Sequence, residues 1–229
     1  MLEHIEMLKD KKAVIFDLDG TLIDSMWLWK EIDVEFLARF GYEYPPNLPD
    51  LLGGKSFYET AVFFQEYFHL PLSLEEIMDE WNRMAEYKYT HEIELKPGVR
   101  SFIQLLKENN IPTGIATSNS RELVEGLLIS QNAMAYFDII VTSGEVKKGK
   151  PAPDVYLRAA ELLGVSPDSC LVFEDVLEGI QAGKNAGMTV CAVDDEYSAY
   201  QIMDKKSCAD WYLIDFCKPE QAQFLGLKK

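Results

Sequence analysis

The chain predicts an α/β fold: a doubly wound parallel sheet (a Rossmann-like core) with a small helical domain inserted after its first strand. Three observations predict it. Short apolar runs recur at residues 13–19, 113–119, 138–144, 170–175, 188–193 and 210–216. The main runs are continuous rather than alternating, as suits strands buried on both faces. Amphipathic patterns separate several of them, and strand alternating with helix implies parallel pairing. Residues 23–95 break the rhythm, with aromatic-rich helical periodicity and no strand pattern.

The first run, AVIF, rises from a charged N-terminal segment and ends in Asp17 and Asp19. The block that follows contains MWLWKEIDVEFLARFG, FYETAVFFQEYFHL and LEEIMDEWNRMAEYKY, with a loop or helix break at 44–55. Asp24 is placed to cap its first helix. The stripe Trp27, Trp29, Phe36 and Phe40 supplies the large apolar side chains a small insert needs, though Trp27 and Trp29 also fall close enough to the aspartates to face them. The block stops before Leu95-Lys96-Pro97-Gly98, and Tyr87, Lys88 and Tyr89 fall where a hinge is expected. The expected division is therefore a core of residues 1–22 and 96–229 and an inserted helical domain of residues 23–95. Beyond it, residues 99–110, 121–131, 154–164 and 176–187 read as helices, the last two stopping at Gly164 and Gly187.

Composition narrows the function. The 229 residues are 48% apolar and 26% charged, enough for a buried core on a soluble protein. A formal net charge of −16 argues against nucleic acid or an anionic membrane as partner, but not against a small anion in a local pocket. No apolar run approaches a membrane span and MLEHIEMLKDKK is no signal peptide, so a cytoplasmic protein is expected. Cys170, Cys191, Cys208 and Cys217 lack C-x-x-C spacing and read as reduced thiols, mostly in the core. His4, His69 and His91 have no zinc-ligand spacing and read as surface or packing residues.

Ligands of an open parallel sheet bind beyond the carboxyl ends of its strands. Four polar groups fall there: Asp17 and Asp19 after the first run, Thr117, Ser118 and Asn119 after the second, Lys150 in the loop KKGKPAPD, and Glu174-Asp175 after LVF. Taken singly each has an ordinary structural use, as strand end, helix cap or solvated loop. Together they carry chemistry. Carboxylates crowded in one crevice repel unless a cation holds them, and hard oxygen ligands without His or Cys favour Mg²⁺. The ion and Lys150 would make the crevice a phosphate site, with Thr117 and the N–H groups after it cradling phosphate oxygens at a helix start near Ser120. Asp17 could then attack phosphorus, while Asp19 protonates the departing oxygen and later deprotonates water.

The motifs D-L-D-G-T, Thr after the second strand, K-P-x-P-D and E-D stand in an order that resembles the haloacid dehalogenase superfamily over nearly the whole chain. The closest likeness is to its capped phosphatase and phosphomutase branch. The resemblance implies Asp17 as nucleophile, Asp19 as general acid and base, and Thr117 with Lys150 as phosphate ligands, Ser118 beside them. It implies Mg²⁺ held by Asp17, the Asp19 carbonyl and Asp175, with Glu174 in support. It makes residues 23–95 a mobile cap and Lys55, after Gly53-Gly54, a substrate contact from a cap loop. The P-type ATPases of the superfamily carry Thr where Asp19 stands and its dehalogenases lack the Asp, so Asp19 implies phosphate-ester chemistry.

The expected function is hydrolysis of a small phosphorylated metabolite by a monomer. Beta-phosphoglucomutases share the core motifs, but carry a His and an Arg where ungapped matching puts Trp29 and Phe57; Arg83 or Lys55 remains a source of charge. Residues 70–76 and the Phe-Leu-Gly-Leu ending at 224–227 resemble pseudouridine-5'-phosphatases, which favours a nucleoside monophosphate. A non-catalytic phosphate- or metal-binding regulator is the remaining alternative.

Overall fold

A computed structural model describes residues 4–53 and 55–226. Gly54 of the predicted loop and Leu227 of the predicted ending lie outside the described residues. The six predicted strands form, in chain order, as β1 (Ala13–Phe16), β2 (Thr113–Thr117), β3 (Ile139–Thr142), β4 (Cys170–Glu174), β5 (Thr189–Val193) and β6 (Trp211–Leu213). A seventh, β7 (Gln223–Phe224), has no apolar run to announce it and pairs antiparallel at the edge. The order is β3-β2-β1-β4-β5-β6-β7, and every other pairing is parallel.

The central strand explains its own composition. Val14 and Phe16 enter one apolar layer, Ala13 and Ile15 the other, and all four are fully buried. A strand buried on both faces has no reason to alternate. Phe16 stacks on Phe173 of β4 at 5.1 Å between centroids. Helices α5 (Val99–Glu108) and α6 (Arg121–Ser130) cover the first layer. Helices α7 (Asp154–Leu163), α8 (Leu177–Asn185) and α9 (Ile202–Cys208) cover the second.

Between β1 and α5 the described residues hold four helices and no sheet strand: α1 (Met26–Arg39), α2 (Leu48–Leu52), α3 (Phe57–Tyr67) and α4 (Leu74–His91). Ser56 with Glu59 and Ser73 with Glu76 make capping boxes that fix the starts of α3 and α4. Phe36, Phe64 and Trp81 pack at the centre, with centroids 4.9 Å apart for Phe64–Trp81 and 5.6 Å for Phe36–Trp81. The predicted aromatic stripe thus divides. Phe36 is core, and Phe40 packs beside it. Trp27 lies under the Lys88 ammonium at the surface, and Trp29 turns to the aspartates.

Three further expectations are corrected. Ser25, not Asp24, occupies the N-cap of α1. Tyr87, Lys88 and Tyr89 lie inside α4 rather than in a hinge; the two chain crossings meet at an Ile23–Leu95 bridge, beside a 2.8 Å bond from the Lys96 N–H to the Leu22 carbonyl. Cys217 is exposed and Cys208 half-buried, leaving Cys170 and Cys191 as the core thiols. The three histidines are exposed, and no helix among the described residues is long and apolar enough to cross a membrane.

Candidate active site

The carboxyl ends of β1, β2 and β4 meet in the middle of the sheet, and the polar groups predicted to converge do so. Asp17 follows β1 and donates its N–H to the Phe173 carbonyl, which locks it beside the end of β4. Lys150 reaches in from the loop before α7 and is 6% exposed. Its ammonium donates to Asp17 Oδ1 at 2.6 Å and to Glu174 Oε1. Tyr156 of α7 donates its hydroxyl to the same Glu174 oxygen at 2.5 Å. Glu174 Oε1 thus holds the lysine while Oε2 accepts from the Asp175 N–H at 3.2 Å, and Tyr156 is a member of the site that sequence reading missed, because an aromatic in an amphipathic helix reads as core.

Asp17, Glu174 and Asp175 each offer a carboxylate oxygen within 4.8 Å of the others. One ammonium does not balance three carboxylates. Burial drives the Asp17 carboxyl well above the usual carboxylate range against the pull of Lys150, and Glu174 and Asp175 drive it the same way. Burial, then Glu174 and Asp195, pushes Asp175 up to about 8. Burial works against the charged Lys150, but Asp17 and Glu174 outweigh it and hold the ammonium above its ordinary value. Asp175 Oδ1 accepts from Thr21 at 3.1 Å, while Oδ2 is buried with no partner among the described residues. An orphaned buried oxygen in an all-oxygen carboxylate cluster fits a hard divalent cation. Gly20 guards that position: its φ is +79°, and a Cβ there would lie 2.2 Å from Asp175 Oδ2.

The Asp19 carboxylate is separate from this cluster. Every partner it has among the described residues is a donor. Oδ1 accepts from Ser25 Oγ at 2.6 Å, from the Tyr89 hydroxyl and from Trp29 Nε1 at 3.3 Å; Oδ2 accepts from Asn119 Nδ2 at 3.0 Å. Tyr89 is itself fixed, accepting from Trp29 Nε1 at 3.1 Å and from Asn119 Nδ2 at 2.8 Å. Burial and the Asp19 charge keep its phenol well above the ordinary value, so it stays a donor. Trp29 and Tyr89 come from α1 and α4, so the helical segment grips Asp19 directly. The sequence signals for these residues were faint. Asn119 stood in a polar strand end without a role, and Tyr89 was one aromatic among many.

Thr117 is buried, and its Oγ1 accepts from the Asn119 N–H at 3.1 Å. Ser118 and Lys55 line the same cavity of about 370 Å³ as Asp17, Asp19, Thr117, Lys150 and Asp175. Helix α6 is capped by Ser120, not by Thr117 or Ser118, and Asp175 does not cap α8, whose N-cap is Val176. The alternative capping roles of these residues therefore fall away. Trp29 and Phe57, placed where the mutases carry His and Arg, meet edge-on at 6.2 Å and also line the cavity. Arg83 does not line it; it is exposed and paired with Glu80 at 2.6 Å.

Residues 14–193 match the haloacid dehalogenase-like hydrolase family. The chain belongs to that family. It is 32% identical over 223 residues to a probable pseudouridine-5'-phosphatase of Drosophila melanogaster, covering 94% of this chain and 95% of that one. It is 34% identical over 186 residues to a bifunctional riboflavin kinase/FMN phosphatase of Arabidopsis thaliana, covering 81% of this chain but about half, 49%, of that longer protein. Among solved structures it resembles CbbY from Rhodobacter sphaeroides in complex with phosphate, with a TM-score of 0.80, 27% identity and coverage of 91% of this chain and 96% of that one. The haloacid dehalogenase-like core seen here is a hydrolase acting on phosphoric monoesters.

Proposed function

We propose that the protein is a Mg²⁺-dependent phosphatase that hydrolyses a small phosphate monoester, a sugar phosphate or a nucleoside monophosphate, through an aspartyl-phosphate intermediate. The observation that carries this reading is the division of labour between two aspartates two residues apart. Asp17 sits in the crowded cluster with Lys150, and Asp19 sits in a cage of donors. Asp17, Asp175 and the Asp19 carbonyl would hold Mg²⁺, with Glu174 behind them. When bound, the ion supplies positive charge that offsets the repulsion between carboxylate and phosphate.

The chain's own residues account for the rest. Asp17 attacks phosphorus and the ester P–O bond breaks. Asp19 delivers its proton to the departing oxygen, which leaves as the alcohol. Asp19 then takes a proton from water, the hydroxide attacks the aspartyl phosphate, and inorganic phosphate leaves with Asp17 regenerated. Thr117, Ser118 and Lys150 hold the phosphate oxygens. Residues 23–95 act as a cap that excludes water, hinged at the Ile23–Leu95 crossing, and Lys55 approaches the substrate from it. Trp29 and Phe57 lack the charge that the mutases place there, which favours hydrolysis over phosphoryl exchange within a sugar. The full set of reacting groups argues against a non-catalytic regulator. On this reading the protein works as a cytoplasmic monomer.

The test is phosphate release from sugar phosphates, nucleoside monophosphates and an aryl phosphate, with Mg²⁺ and with EDTA, on protein whose mass is followed by light scattering. Release that needs Mg²⁺, from protein of one chain mass, is expected. Equal release in EDTA, or none from any ester, defeats the reading. Within it, Tyr89 positions Asp19. Tyr89→Phe removes one donor and lowers kcat about tenfold to a hundredfold with little change in KM. A kcat within about twofold of the parent removes Tyr89 from the reaction.

A further inference from the structure

Helix α1 begins at the reacting end of the cavity and runs away from it. Ser25, its N-cap, and Trp29 both bond Asp19. Asp33 lies one turn beyond Trp29 on the same face, about 6 Å further along the helix. It lines the cavity, and neither a hydrogen-bond partner nor a charged partner acts on it among the described residues. The walls around it are aromatic: Trp29, Tyr44, Phe57, Trp81, Tyr197 and Tyr200 line the same space. Asp33 is half-buried, and a carboxyl held without a partner among aromatic rings is free to pair with a ligand.

The form of the enclosure discriminates between leaving groups. A polyol carries hydroxyls on every side and needs polar partners all round. A planar heterocycle needs flat apolar faces to stack on and one polar group at its edge, and stacking a base on aromatic rings contributes about 1–3 kcal/mol. The cavity offers six aromatic side chains for stacking and, one turn from Trp29, the Asp33 carboxyl for an edge, while Lys30, Thr60, Glu178, Ser198 and Gln201 line it as well. Burial pushes the Asp33 carboxyl up to about 8, so near neutral pH it presents an O–H donor and a C=O acceptor together. That pair matches a ring edge on which an N–H adjoins a carbonyl.

We propose that the leaving group of the substrate is a planar N–H-bearing heterocycle attached through a sugar or polyol, stacked on the cavity's aromatic walls and read at its edge by Asp33. This inference rests on the phosphatase reading above and narrows it to nucleotide-like monoesters. Ribose 5-phosphate and uridine 5'-monophosphate differ only by the heterocycle, and inosine 5'-monophosphate and FMN vary the ring. The best of the three ring-bearing esters is expected to exceed ribose 5-phosphate in kcat/KM by about 10- to 100-fold. Asp33→Leu is expected to cut that ratio at least about tenfold, mainly through KM.

A second measurement does not depend on turnover or on Asp33→Leu folding. Trp29 and Trp81 line the cavity, so a stacked ring quenches their emission. In the Asp17→Asn protein, uridine 5'-monophosphate or FMN should quench saturably and ribose 5-phosphate should not. Equal kcat/KM for ribose 5-phosphate and all three ring-bearing esters, with emission unmoved, overturns the inference and leaves the phosphatase intact. If no ester is hydrolysed, the phosphatase reading fails, and the quenching titration alone decides whether a heterocycle binds.

Discussion

Lys150→Met is expected to lower metal-free stability by about 3–5 kcal/mol, as the loss of one partner from a buried ion pair does, and to abolish turnover. Lys150 is the one cation bonded to Asp17 and Glu174 among the described residues, at 4% side-chain exposure. Removing it strands two buried carboxylates that already crowd Asp175. For a chain of this size the melting temperature should fall by about 10 °C. Thermal melts in EDTA test the prediction, and a drop below about 1 kcal/mol shows that the lysine is not what the carboxylates depend on. A cycle with Glu174→Gln separates charge from packing. If the charge is responsible, the double variant recovers part of the loss; if the loss is packing, the two effects add.

Asp17→Asn should act in the opposite sense on stability while removing function. Turnover should fall by at least ~10⁴-fold, the scale seen when a catalytic nucleophile is deleted. Yet the variant should melt at the same temperature as the parent or higher in metal-free buffer. The reason is the charge balance of the cluster: the amide keeps an acceptor for Lys150 and removes one of three mutually repelling carboxylates. Its gain in melting temperature on adding Mg²⁺ should shrink, because one ligand has weakened. Retention of more than about 1% of turnover would remove Asp17 from the nucleophile's role. A site that is less stable with its native residue than without it is one in which function has been placed ahead of stability.

Much of the fold was legible because its signals are local. A strand buried on both faces must be apolar at every position, so AVIF, TGIAT and CLVF announce β1, β2 and β4 without reference to anything else. The polar residues that interrupt those runs mark the strand ends, and in a doubly wound sheet the strand ends are the site. Asp17, Thr117, Glu174 and Asp175 were therefore readable as one constellation. β7 was not, because a two-residue edge strand with both side chains exposed leaves no periodicity. The N-cap of α1 went to Ser25 rather than Asp24, since boundaries depend on backbone angles that two adjacent capping residues cannot settle.

The sequence by itself determined the parallel sheet, the helical segment between β1 and α5, and which residue types meet at the strand ends. Each follows from periodicity or from residues close together in the chain. The tertiary structure alone decided who holds whom. Tyr89 reaches Asp19 across 70 positions, Tyr156 reaches Glu174 across 18, and Lys150 reaches Asp17 across 133. No local pattern distinguishes a tyrosine that will bond a carboxylate from one that will fill a core, because both positions want the same apolar ring. The same holds for Trp29 and Asp33, one turn apart on α1: their chemistry lies in the enclosure that the other helices close around them.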